Sequence, residues 1–108
     1  MNAVMFLAQR LSAGVLGIAI AVHLGTILYA VRGGLTAGEI LGRTQGNLGF
    51  ALFYAIFVVA VAVHAPIGLR NIVVEWTRWR GRSLDIAMAC VMALLLWLGL
   101  RAVYAVYA

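Results

Sequence analysis

His64 is the side chain whose type and surroundings point most directly to chemistry. It ends a long uncharged run, in the segment 61–76, VAVHAPIGLRNIVVEW, with Pro66, Gly68, Arg70, Asn71 and Glu75 close behind it. An imidazole in a hydrocarbon-compatible helix is costly unless something uses it. Helical periodicity sets Phe53, Phe57, Ala60, His64, Gly68, Asn71 and Glu75 in one stripe. Ala60 and Gly68, one turn to either side of the imidazole, are small, so a flat ring could lie against the backbone there. That is the arrangement a haem ligand needs: a neutral imidazole nitrogen on the iron and little bulk around it. The plain alternative is a buried histidine hydrogen-bonded to a neighbouring helix, and spacing alone leaves both open. His23 is the second candidate ligand, on a helix face shared with Ser12, Leu16 and Ala19. Phe53 and Phe57 suit lipid or core contacts as well as a cofactor.

Three spans must position these residues. The run 11–31 has no charge and is about as long as a spanning helix must be, roughly 20 residues. A cleaved signal peptide is the rival reading; the run is long for one, and two more spans follow it. Helix I is expected over about 4–31, helix II over about 47–76 entered through Asn47, and helix III over about 83–107. Ser83 is the expected cap of helix III, with Asp85 favourable in its first turn. Pro66 cannot bond the Ala62 carbonyl, which predicts a kink near His64. The stretch 32–46 holds five glycines and reads as a loop, with Thr36 and Glu39 at capping-box spacing for a short interfacial turn of helix. Ala13, Gly17, Ala21 and Gly25 form a stripe of small residues that lets another helix come close in lipid. Glu75 is expected to pair with Arg78 or Asn71. The fold class is all-α: one integral membrane domain with three transmembrane helices.

Composition supports this. Of 108 residues 66% are hydrophobic and 10% charged, more apolar surface than a soluble domain of this size can bury. The net charge of +5 comes from eight arginines and three acids. Such a balance can signal nucleic acid, but the arginines stand at the ends of apolar runs, where lipid headgroups and orientation explain them. Arg10, Arg70, Arg78, Arg80 and Arg82 fall on one side; Arg32, Arg43 and Arg101 fall on the other. The positive-inside rule then predicts a cytoplasmic N-terminus. Cys90 alone can form neither an internal disulfide nor a cysteine cluster. There is no Gly-rich dinucleotide loop, paired carboxylate or activated nucleophile. A multidrug-type transporter would need an intramembrane carboxylate, whereas Glu39, Glu75 and Asp85 fall at helix ends or in loops.

Two segments resemble a known family. Gln9-Arg10-Leu11-Ser12-Ala13-Gly14 is similar to the H-R-x-S/T-G that opens the first helix of the cytochrome b anchor subunits of succinate dehydrogenases and fumarate reductases. His64-Ala65-Pro66-Ile67-Gly68-Leu69-Arg70-Asn71, with Glu75 behind it, resembles that family's H-x-x-x-G-x-R-H and trailing acid. The resemblance runs along nearly the whole chain. It implies a haem b-binding anchor subunit of a succinate:quinone oxidoreductase in the bacterial inner membrane. Such a subunit has no catalytic centre of its own and passes electrons between an iron–sulfur subunit and membrane quinone. It implies flavoprotein and iron–sulfur subunits as partners, with a second copy or a similar three-helix subunit beside it. His64 matches the haem ligand, Arg10 the arginine near quinone and a haem propionate, Ser12 the small hydroxyl position, and Arg70 the arginine of the second motif. Asn71 replaces that motif's second His. Gln9 stands where His is usual, and Phe6 where a quinone-contacting Ser is often found. A cofactor-free structural subunit of another respiratory or photosynthetic complex is the alternative.

The two histidines should not share one iron. Helices I and II are antiparallel, and at ~1.5 Å rise per residue His23 and His64 differ in height by about 13 Å. Each would then look to another chain for its opposite ligand, giving two haem b groups per complex; the rival is one haem at His64 with a merely structural His23.

Overall fold

The computed structural model describes residues 2–108. Four helices follow in order: α1 (Ala3–Gly33), α2 (Ala37–Thr44), α3 (Leu48–Trp76) and α4 (Arg82–Tyr107). The molecule is all-helical, and α1, α3 and α4 are each long and apolar enough to cross a membrane. It is therefore built as a multi-pass membrane protein.

Side-chain caps set most of the helix starts. Asn2 Oδ1 accepts from the Met5 amide at 2.8 Å, the Thr36 hydroxyl from Glu39 at 3.2 Å, and Asn47 Oδ1 from Phe50 at 3.0 Å, each satisfying an amide that has no intrahelical partner. Asn47 is thus the cap its sequence position suggested. Helix α4 departs from expectation. Its cap position is Gly81, at φ 90°, with no side-chain cap bond. The turn out of α3 needs a positive φ there, which glycine adopts without a Cβ clash. Ser83 lies inside the helix and accepts a hydrogen bond from Trp79 Nε1 at 2.8 Å.

Helix α3 packs against both α1 and α4. Its His64 and Gly68 meet Ser12 and Gln9 of α1, while Val58 meets Gly99 of α4. It runs without a break through the buried Pro66. The apolar core is small, consisting of Leu16, Ala19, Ala60, Ala62 and Leu84. Most large apolar side chains, Ile18, Leu28, Leu94 and Trp97 among them, face outward. Such a surface is a liability in water and the natural outside of a protein in lipid. Small residues let the helices approach, as is usual in membranes. A Cβ added to Gly99 would lie 2.5 Å from Val58 Cγ1.

The stripe Ala13, Gly17, Ala21 and Gly25 is exposed and has no helix of this chain against it. Helix α1 instead buries Ser12, Leu16 and Ala19. The glycine-rich stretch holds more helix than its composition suggested. Helix α2 and the turn after it clasp the end of α4: Thr44 Oγ1 donates to Val106 O at 2.7 Å, the Gly46 amide to Tyr107 O at 2.9 Å, and Gln45 Nε2 to Ala108 O at 3.1 Å. These bonds supply donors to carbonyls that a helix C-terminus leaves unpaired.

Candidate functional site

The site is built where α1 crosses α3. The Ser12 hydroxyl donates to the Gln9 carbonyl at 3.1 Å. Its oxygen remains as an acceptor, 3.4 Å from His64 Nδ1. With the Ser12 proton on Gln9 O, Nδ1–H can donate to the serine oxygen, the tautomer that would leave the Nε2 lone pair for a ligand. Ser12 is buried and His64 half-buried. Ligating histidines are commonly oriented by an acceptor on the far ring nitrogen, a place the Ser12 oxygen could fill here.

The flank reserved for a flat ring is narrower than the sequence suggested. A Cβ on Gly68 would lie 3.4 Å from Gln9 Nε2, because the small residues around His64 also let α1 settle onto α3. Gln9 Oε1 is buried and has no hydrogen-bond partner among the described residues. Leaving such an acceptor unpaired costs about 1–3 kcal/mol, so the position suits a ligand that brings a donor. A groove of about 450 Å³ opens beside this crossing and is lined by Ser12, Ala60 and apolar side chains, without His64. The donor chemistry fits an iron-bound haem, but this chain alone does not enclose a macrocycle at His64.

The other predicted residues separate into different places. Arg10 is exposed, with its guanidinium 5.6 Å from the centre of the Phe6 ring. Arg70 donates from Nε to Asp85 Oδ1 at 2.8 Å, tying the end of α3 to the first turn of α4. The expected role of Asp85, favourable charge at a helix start, is thus joined by an ion pair that spacing along one helix could not reveal. Asn71 is half-buried, and Glu75 is exposed one turn further on. Among the described residues, no group of three or more potential ligands gathers to hold a bare metal ion.

His23 is apart from His64, as the antiparallel register requires. Its Nδ1 lies 2.9 Å from the Tyr54 hydroxyl, and its ring meets Phe57 edge-on at 5.5 Å. The pairs His64 with Ser12 and His23 with Tyr54 fix the register of α1 on α3. The heights of the two imidazoles thus differ by the eleven-residue rise from Ser12 to His23, roughly 16 Å at 1.5 Å per residue. Tyr54 is the residue that sequence reasoning missed. Its signal was present but weak, an intramembrane hydroxyl near the start of α3 facing an intramembrane histidine.

The chain matches no family model, no curated protein and no solved structure.

Proposed function

We propose that this chain is a haem b-binding membrane-anchor subunit of a succinate:quinone oxidoreductase. The observation that carries the reading is the intramembrane His64 with Nδ1 3.4 Å from the Ser12 hydroxyl, a contact that in the Nδ1–H tautomer would leave Nε2 as a ligand. The resemblance of the Gln9–Gly14 and His64–Asn71 segments supplies the family. His64 would hold the iron, and a bound haem would supply one-electron transfer within the bilayer. The rest of its envelope would come from a second copy or a similar three-helix subunit. Flavoprotein and iron–sulfur subunits would dock at the arginine-rich end, which the positive-inside rule puts on the cytoplasmic side of a bacterial inner membrane. Arg10 would polarise a quinone carbonyl as it gains charge. Gln9 Oε1 would accept from the hydroxyl of the reduced form.

His64→Ala tests this. The spans that drive insertion are untouched, so the variant should reach the membrane with its reduced-minus-oxidised haem b band lost. An unchanged haem-to-protein ratio would refute the ligand assignment. A second reading, a cofactor-free structural subunit of a larger complex, draws on the open small-residue stripe of α1. It requires that the wild-type complex show no haem band from this chain.

A further inference from the structure

We propose that the groove where α1, α3 and α4 meet at the arginine-rich end holds one phospholipid whose headgroup carries a primary ammonium, an ethanolamine phospholipid. The groove has a polar mouth and an apolar floor. The mouth, about 380 Å³, is bordered by Asn2, Arg70 and Asp85 together with Met5 and Met88. That falls within the ~300–1,000 Å³ range of small-molecule pockets. A narrower apolar cleft of about 160 Å³ shares Arg70, Met5 and Met88 with the mouth and continues past Pro66 to Val63 and Met92. Val63 lies seven residues from Arg70 on α3, and Met92 seven from Asp85 on α4. At ~1.5 Å per residue the apolar part thus reaches about 10 Å below the charges. Three of the chain's four methionines line the two parts, and their unbranched, adaptable side chains suit a flexible acyl chain.

The ligand class follows from the charges at the mouth. Arg70 Nε donates to Asp85 Oδ1 at 2.8 Å. That bond takes one of the five guanidinium N–H groups and one of the two carboxylate oxygens. The mouth therefore presents a fixed pair of opposite charges, and a zwitterion matches it, with phosphate oxygens on the guanidinium and an ammonium on the carboxylate. A primary ammonium brings three N–H donors to Asp85, as a lysine would. A quaternary choline brings none, and among the described residues no aromatic ring of the kind that recognises such a cation borders the mouth. A net-anionic headgroup would gain at Arg70 and be repelled at Asp85. The Arg70 side chain is 23% exposed and that of Asp85 58%, so the mouth opens to the headgroup layer. A soluble phosphate ester would fill the mouth alone; the apolar continuation commits the site to a lipid. The site stands whether or not His64 holds iron.

The test uses the intact chain in a neutral detergent, titrated with synthetic phospholipids of identical acyl chains and read by native mass spectrometry. One molecule of phosphatidylethanolamine is expected to stay bound, several-fold more strongly than phosphatidylcholine or phosphatidylglycerol. Asp85→Asn, which keeps the size of the side chain, should bring the ethanolamine and choline lipids to equal retention. Arg70→Gln should lower the retention of all three. Ala89→Phe, which narrows the apolar part and keeps both charges, should weaken ethanolamine-lipid binding several-fold while circular dichroism shows unchanged helicity. Free phosphoethanolamine at the same concentration should displace nothing; displacement would mean that the mouth acts alone on a soluble phosphate ester and would overturn the lipid assignment. Equal retention of the three lipids by the wild type would mean bulk lipid contact only and overturn the site. An ethanolamine preference that survives Asp85→Asn, or binding unchanged in Ala89→Phe, would overturn it too.

Discussion

The two histidines make a controlled comparison within one helix pair. Both stand where α1 faces α3, and both present Nδ1 to a hydroxyl on the opposite helix. They differ in what surrounds that bond. His64 sits among Ser12, Ala60 and Gly68, where α1 and α3 press close. His23 sits among Tyr54, Phe57 and the α4 residues Leu95 and Gly99, and lines a cleft of about 310 Å³. The lesson is that one and the same Nδ1–hydroxyl contact can stand at a close crossing of two helices or beside a cleft that three helices share.

The largest effect should come from the contact that shapes the cleft. Gly99→Val would drive a branched side chain into Val58, whose Cγ1 already lies 2.5 Å from where a Cβ would be. Overpacking of this kind costs typically 1–3 kcal/mol. Gly17→Val, on the outward face of α1 with nothing within 4 Å, should leave the monomer's stability nearly unchanged. Steric-trap unfolding in detergent measures both. Equal losses would mean that the α3–α4 contact is not where close packing matters.

A middle-sized effect separates the two imidazoles. Ser12→Ala and Tyr54→Phe each remove one interhelical bond, worth on average ~0.6 kcal/mol in a membrane protein. The stability changes should therefore be similar and small. Function should divide them. Ser12→Ala would weaken haem retention by about 10–100-fold, the usual cost of losing the group that orients a ligating histidine. Tyr54→Phe, whose hydroxyl meets His23 and not His64, would leave haem at His64 in place. Haem titration reads both, and an equal loss of haem in Tyr54→Phe would erase the distinction.

The spans, the Asn47 cap, the Asp85 first turn and the height difference between the histidines were legible in the sequence, because each depends on local spacing or on charge-free length. The partners were not. Ser12 and His64 are distant in sequence, and which α1 residue faces which α3 residue is set by side-chain volumes along the whole crossing. The same holds for Tyr54 on His23 and Asp85 on Arg70. The Ser83 cap was misread for a different reason: a serine at the right place competes with a glycine that the preceding turn needs for its positive φ. The small-residue stripe on α1 was legible as a packing surface, but periodicity cannot say whose helix it meets.

The smallest effect, that of Asp85→Asn, comes from setting the two ends of the layer side by side. At the arginine-rich end α3 and α4 are joined by charge, Arg70 to Asp85, with the aspartate side chain 58% exposed. Exposed pairs contribute about 0–1 kcal/mol, and salt screens them further, with a Debye length of ~10 Å at 0.1 M. At the other end the clasp on α4 is made of neutral hydrogen bonds, the Thr44 hydroxyl to Val106 O among them. Asp85→Asn should therefore cost a few tenths of a kcal/mol at low salt, within the range for exposed pairs, and nothing resolvable at high salt. Thr44→Val should cost about 1 kcal/mol, the typical net worth of a neutral bond, at every ionic strength. Thermal unfolding across a salt series distinguishes them. A salt-independent loss in Asp85→Asn would show that the aspartate acts through packing at the start of α4 and not through its charge on Arg70.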